Sequence, residues 1–98
     1  MQLPKTLNIM GKTFDVEKVK DLKFDDGDAC HGICYFSEQK IAIDPGYPVQ
    51  IRESTLLHEI IEAINFMCEL GLRHNQIMTL ETGLYQVLMA NKLHFDKD

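Results

Sequence analysis

The sequence predicts an α+β domain in which a small antiparallel sheet of two hairpins is followed by two helices. Up to about position 52, strand-like segments alternate apolar and polar side chains. From position 53, apolar residues recur instead at the three- and four-residue spacing of a helix. The 98 residues suit one compact domain. We therefore expect a single domain with a β region at 1–52, two helices within 53–91 and a frayed tail at 92–98.

The first predicted hairpin lies near the start of the chain. Residues 6–10 and 13–19 are strand-like and flank a turn at Gly11-Lys12. The second of these segments alternates apolar and polar residues, as expected of a strand with one covered face. The two segments should therefore pair in antiparallel fashion.

The second predicted hairpin follows a polar loop. Residues 31–37 and 40–44 form its arms, and Glu38-Gln39 forms its turn. The segment Pro45-Gly46-Tyr47-Pro48 then ends the β region, because proline and glycine interrupt regular structure.

Two amphipathic helices are predicted after the β region. The first is expected from about residue 53 to Gly71, since glycine is common just after a helix end. The second is expected over residues 75–91. The apolar residues that indicate the first helix are Leu57, Ile61, Ile64 and Cys68. Those expected on the inner side of the second are Ile77, Leu80, Leu84, Val87 and Leu88.

Composition argues against several classes of protein. The net charge is -5, which disfavours binding to nucleic acid through phosphate neutralisation. No stretch approaches the roughly 20 apolar residues that a membrane span needs. The first residues lack the basic and apolar segments of a signal peptide, and three cysteines do not suit a secreted disulfide framework. We therefore expect a cytoplasmic protein that binds neither nucleic acid nor membranes.

The first predicted helix carries a motif close to a zinc-hydrolase signature. The signature H-E-x-x-H places two imidazoles one helical turn apart, beside a glutamate that can act as general base. Here residues 58–62 read His-Glu-Ile-Ile-Glu, so Glu62 replaces the second histidine, and carboxylates are also good zinc ligands. With His74 downstream, the set again holds two imidazoles and one carboxylate. His58, Glu62 and His74 are the candidate metal ligands, and Glu59 is the candidate general base.

Other interpretations of these residues remain open. A histidine and a glutamate four residues apart on a helix can form a simple ionic pair, worth about 0.2–0.5 kcal/mol. Glu81 is a rival to His74 as third ligand, because a tight helix pair turning near Gly71 would place it opposite Glu62. If Glu81 does not bind the metal, we expect it to hydrogen-bond to one of the ligands.

Two segments of the helical half carry a family resemblance. Residues 56–64, LLHEIIEAI, and residues 77–88, IMTLETGLYQVL, resemble the minimal zincin-like metallopeptidase domains of phages and mobile elements. The resemblance covers the C-terminal half of the chain and, more loosely, the N-terminal hairpins. It implies a short antiparallel sheet, an active-site helix and a following helix that supplies a third ligand, often glutamate.

The resemblance also implies roles for individual residues. His58 matches the first zinc ligand and Glu59 the general base. Glu62 stands where the second histidine belongs, and His74 where the third-ligand glutamate belongs, so the family's histidine and glutamate are exchanged. The exchange leaves the formal charge of the zinc centre unchanged.

The function that this resemblance implies is zinc-dependent hydrolysis of a peptide or protein, in the host cytoplasm if the chain is phage-encoded. The strand at residues 40–43 could align an extended peptide by β-augmentation. His31 and Tyr35 in the neighbouring strand could line the cleft, although a half-buried strand position is the commoner role of each. The alternative is a catalytically inactive protein of the same fold that binds a host protein. A third possibility is a purely structural zinc. The same ligand set also admits iron, cobalt or manganese.

Overall fold

A computed structural model of the protein describes residues 2–95 and confirms the α+β class. A four-stranded sheet forms one layer, and the first helix packs against it. Among the described elements, the second helix contacts only the first. No helix of the described residues is long and apolar enough to cross a membrane. The elements are β1 Thr6–Ile9, β2 Lys12–Lys18, β3 Gly32–Tyr35, β4 Lys40–Ile43, α1 Val49–Met67 and α2 His74–Ala90.

The sheet is mixed, so the prediction of a purely antiparallel sheet is wrong. Both predicted hairpins form, β1 with β2 and β3 with β4. The strand order is β1-β2-β4-β3, however, and β2 runs parallel to β4 with Val16 opposite Ile41. The last three residues of β4 are all buried, and such a strand is most stable in the centre of a sheet. Hairpin pairing is local, whereas this central position depends on contacts between distant segments.

The first hairpin turns one residue earlier than predicted. Ile9 pairs with Lys12, so the turn is Met10-Gly11 and not Gly11-Lys12. Both turn residues have positive φ, 51° and 82°, as in the type I′ turn that suits the twist of a hairpin.

Both ends of α1 lie earlier than predicted. The helix begins at Val49, directly after Pro48, so the last residues assigned to the β region are helical. It ends at Met67 and not near Gly71. The reason is that Glu69 already adopts a left-handed φ of 51°, which stops the helix.

The bounds of α2 agree with the prediction to within one residue. Its inner side does not, because Ile77 is the only buried residue of this helix. Leu80, Leu84 and Val87 were expected inside but are exposed, since α2 has one neighbouring element instead of a surrounding core. Residues 92–95 form neither helix nor strand, and residues 96–98 of the predicted tail lie outside the described residues.

The main core lies between the sheet and α1. Buried residues of the sheet pack against Leu56 and Ala63 of the helix. The approach is closest at Gly32, where a Cβ atom would lie 2.6 Å from Cγ2 of Thr55. This close contact holds the middle of α1, with His58 and Glu59, over the β3 edge of the sheet.

Candidate metal centre

The two helices bring the three predicted ligands together. His58 and Glu62 lie one turn apart on α1, and His74 is the first residue of α2. One donor atom from each side chain lies within 4.8 Å of the other two. Donors of a tetrahedral site with bonds of about 2.1 Å lie about 3.4 Å apart, so shifts of about 1.5 Å or less would close this set around one ion. The geometry therefore fits a single divalent cation.

His58 is oriented by a carboxylate on each side of its ring. Its Nδ1 lies 3.0 Å from Oε1 of Glu81, and its Nε2 lies 3.5 Å from Oε2 of Glu62. The contact at Nδ1 is within hydrogen-bonding distance, and in the tautomer that carries its proton on Nδ1 the ring donates to Glu81, because a carboxylate only accepts. The Nε2 lone pair can then bind a cation together with Glu62.

This arrangement bears on the alternative role that the sequence left open for Glu81. The predicted hydrogen bond between Glu81 and a candidate ligand is confirmed. His74, and not Glu81, belongs to the group of converging donors. A carboxylate on the second nitrogen of a histidine is the usual way in which a metal-binding imidazole is oriented.

The position of His74 is set by the loop that joins the helices. The side chain of Asn65 accepts the N–H of Leu72 at 2.9 Å and donates to its carbonyl at 3.2 Å. Gln76 accepts the N–H of Arg73 at 2.8 Å at the start of α2. The ring of His74 meets that of His58 edge to face, with centroids 5.3 Å apart. His74 is exposed, so it has room for the small movement that metal binding needs.

Glu59 is buried next to the donor group. It is 6% exposed and lines the same cavity as His58, His74 and Glu81. Burial raises the pKa of Glu59 to about 8, and the charges of Glu62 and Glu81 add to the increase. A cation bound nearby would favour the ionised carboxylate.

The cavity has a volume of about 380 Å³ and is open to solvent. The chain before β3 supplies one wall, with Phe24 and His31, and α2 supplies Met78. Apolar walls with a few convergent polar groups are typical of sites for small molecules or side chains. Sequence reasoning named His31 but missed the rest of this wall, because nothing local marks residues 24–30 as neighbours of the helices.

The expected alignment of a peptide along β4 is wrong. This strand pairs on both edges, whereas β3 is the edge strand beside it and packs against α1. His31 lines the cavity, which is the less common of the two roles that the sequence left open for it. Tyr35 does not belong to the cavity lining but packs with the buried cluster around Leu22 and Ala42.

A second hydrogen bond joins the helices away from the donor group. The Tyr85 hydroxyl donates to Oε1 of Glu53 at 2.6 Å. This bond is the main cause that lowers the pKa of Glu53. Nothing in the sequence marks Tyr85 and Glu53 as partners, because they lie 32 positions apart.

Comparisons of the chain with protein families, with curated proteins and with solved structures found no match.

Proposed function

We propose that this protein is a zinc-dependent, metallopeptidase-like hydrolase of the minimal zincin type found in phages. In this proposal His58, Glu62 and His74 hold one zinc ion, and Glu59 is the general base. The observation that carries the proposal is the convergence of three donors from two helices, beside a buried glutamate in an open cavity.

The donor chemistry supports zinc with hydrolytic capacity. Catalytic zinc sites use three protein ligands and leave a position for water or substrate. Two neutral imidazoles and one carboxylate give such a centre a formal charge of +1. Bound zinc would supply Lewis acidity, which polarises the amide carbonyl and lowers the pKa of water.

The protein's own groups would divide the remaining work. Glu59 accepts a proton from the attacking water and returns it to the leaving amine. Glu81 holds the Nδ1 proton of His58 and so keeps the ring in one orientation. The edge of β3 that does not pair with β4 offers backbone groups to an extended peptide.

Metal content tests the ligand assignment. Elemental analysis of the purified protein should find one equivalent of zinc per chain, and His58→Ala should lose it. The matched control is His31→Ala, which removes a histidine from the same cavity but not from the donor group. Equal zinc in the His58 and His31 variants would refute the site.

Peptide hydrolysis tests the role of Glu59. Glu59→Gln keeps the size of the side chain and removes its basicity, so zinc content should stay at one equivalent. Cleavage of a mixed set of unstructured peptides should then fall by about a hundredfold or more. Undiminished cleavage by this variant would show that Glu59 is not the base.

A metal-binding protein without hydrolytic activity, which engages a host protein, is the second candidate. The crowding of Glu59, Glu62 and Glu81 around His58 favours it. Three ionised carboxylates around a divalent ion leave a net charge of -1, which weakens its Lewis acidity. Zinc in the wild-type protein together with no cleavage of any tested peptide would support this second function.

Removal of zinc by a chelator distinguishes a purely structural zinc from the hydrolase and from the inactive metal-binding protein. The core between the sheet and α1 is built from apolar residues that do not include the three donors. We therefore expect the circular dichroism of the protein to survive removal of zinc, whereas a structural zinc would be needed for folding.

A further inference from the structure

α2 carries two seams with the spacing of helix-packing positions. In such seams, contact residues alternate at intervals of three and four. The inner seam consists of Ile77, Glu81, Leu84 and Leu88. The outer seam consists of Gln76, Leu80, Gly83, Val87 and Ala90, all exposed. The contacts with α1 described above come from the inner seam and from Tyr85 beside it, through buried Ile77, the hydrogen bond between Glu81 and His58, and the hydrogen bond from Tyr85 to Glu53.

The outer surface of α2 has no charged side chain. Glu81 is the sole Asp, Glu, Lys or Arg among the 17 residues of the helix, and it faces His58. The chain as a whole is 26% charged, with a net charge of -5. Depletion of charge beside exposed Leu80 and Val87, at 42% and 44% exposure, is typical of the core of a protein interface.

Gly83 lies in the middle of the outer seam. Glycine destabilises the interior of a helix relative to alanine. A Cβ atom at this position would meet no atom of the chain within 4 Å. Packing within the chain therefore does not require glycine here, whereas the close crossing of a second helix would.

We propose that the outer seam binds the same seam of a second copy, in an antiparallel homodimer whose two-fold axis passes near Gly83. In this pairing Leu80 lies opposite Val87 of the partner subunit, and Gln76 lies opposite Ala90 of the partner subunit. The two Gly83 positions meet at the axis, where the backbones approach most closely.

A second copy is the occupant that the charge distribution favours. Two chains of net charge -5 repel each other over most of their surfaces, and the uncharged outer seam is a place where they can meet without like-charge contacts. The seam is also its own complement, because Leu80 and Val87 lie almost equally far from Gly83. Such self-complementarity is what a two-fold interface requires.

The small area of the outer seam limits the affinity of this dimer. Two helices of this length packed side by side remove roughly 800–1,000 Å² from water, which is below the ~1,200 Å² of stable interfaces and in the range of weak, transient ones. We therefore expect a dimer that dissociates on dilution, with a Kd in the micromolar range.

Sedimentation velocity on the full chain, from about 5 to about 500 µM, tests the proposal. The wild-type protein should convert from monomer to dimer across this range, and Leu80→Glu/Val87→Glu should stay monomeric. The matched control, Thr82→Glu/Met89→Glu, adds the same charges at the same spacing on the other side of α2 and should still dimerise. A monomeric wild-type protein, or equal behaviour of the two double variants, would overturn the proposal.

Gly83→Ala provides a test that does not depend on added charge. It should raise the thermal stability of the monomer and weaken the dimer by about tenfold, because a methyl group overpacks the crossing point. An unchanged dimer Kd would overturn the antiparallel pairing. Assemblies larger than a dimer would also do so, because a two-fold contact closes on itself.

Discussion

The two helices are similar in length but use their side chains in opposite ways. α1 buries three polar residues near its middle, Thr55, His58 and Glu59. α2 buries Ile77 alone and exposes several of its leucine, valine and methionine side chains. The difference follows from position, because α1 lies between the sheet and α2, whereas α2 contacts α1 alone among the described elements.

This contrast concerns two kinds of residue in unusual positions, namely buried polar side chains on α1 and exposed apolar side chains on α2. A buried polar group is costly unless it has a partner. No buried side-chain nitrogen or oxygen lacks a partner among residues 2–95. Buried His58 on α1 finds its partners in the candidate metal centre, whereas the exposed apolar residues of α2 are covered by no other element among residues 2–95.

The largest effect that would test this contrast is expected from Glu59, the acidic residue that α1 buries. Its pKa is about 8 in the folded protein, against an ordinary value of 4.5. Between these pH values the metal-free folded state keeps a proton that the unfolded state loses, so the free energy of unfolding decreases as pH rises. The contribution of the protonated Glu59 side chain to the free energy of unfolding is therefore fully present below pH 4.5 and is lost above pH 8. It amounts to about 3–5 kcal/mol, because one pKa unit corresponds to about 1.4 kcal/mol.

Urea denaturation in the presence of a chelator measures this effect. The difference in stability between Glu59→Gln and the wild-type protein should grow in favour of the variant as pH rises through the window. Glu53→Gln is the control variant, because the pKa of Glu53 is lowered, mainly by the Tyr85 hydrogen bond. Its contribution is therefore present above its ordinary pKa and is lost as pH falls. Parallel pH profiles for wild type and Glu59→Gln would contradict the burial of this carboxyl group.

The next largest effect on the free energy of unfolding is expected from substituting two glycines, Gly32 beside α1 and Gly83 on α2. A methyl group at Gly32 would lie 2.6 Å from Cγ2 of Thr55 and 3.1 Å from Cδ1 of Ile43. Gly32→Ala should therefore lower the free energy of unfolding by about 1–3 kcal/mol. Gly83→Ala on α2, with no atom within 4 Å, should raise it by about 0.5–1 kcal/mol when measured on the monomer.

Thr55→Ser provides the control for the glycine comparison, because it removes the methyl group that would clash. The double variant Gly32→Ala/Thr55→Ser should recover part of the lost stability in chemical denaturation. If Gly32→Ala and Gly83→Ala changed stability in the same direction, α1 would not be held as closely to the sheet as the distances indicate.

Local sequence patterns predicted the parts of this molecule that depend on neighbouring residues. The spacing of His58 and Glu62 placed both on one face of a helix, and alternation identified both hairpins. The central position of β4 could not be predicted in the same way, because it depends on the pairing of distant strands. The exposed side of α2 was missed because helical periodicity identifies an apolar face without saying whether another element covers it.

A third test of the contrast between the helices measures what α2 contributes to zinc binding. In the proposed site α2 supplies Glu81 and His74, whereas α1 supplies His58, Glu59 and Glu62. Glu81→Gln keeps an acceptor for the Nδ1 proton of His58 but removes the charge, so zinc affinity should fall by about 10- to 100-fold. His74→Ala removes a donor atom and should cost more. Competition with a chromophoric chelator measures both affinities. A larger loss for Glu81→Gln than for His74→Ala would make Glu81 the ligand.

The smallest effect is expected where the helices meet away from the donor group. Tyr85→Phe removes the hydrogen bond to Glu53 and should lower the free energy of unfolding by about 0.5–1.5 kcal/mol. The same change should raise the pKa of Glu53 towards its ordinary value, which an NMR titration can follow. Tyr47→Phe is the control, because the ring of Tyr47 contacts His31 and lies outside the helix pair.

Measuring zinc affinity in the same variants then shows whether metal binding depends on the packing of the two helices or on the orientation of the His58 ring. Tyr85 does not touch the donor group, so Tyr85→Phe should leave zinc affinity at the wild-type value while Glu81→Gln reduces it. If both variants lost affinity equally, the position of α2 as a whole would govern metal binding. If Glu81→Gln alone lost affinity, the hydrogen bond between Glu81 and His58 would be what α2 contributes to metal binding besides the donor atom of His74.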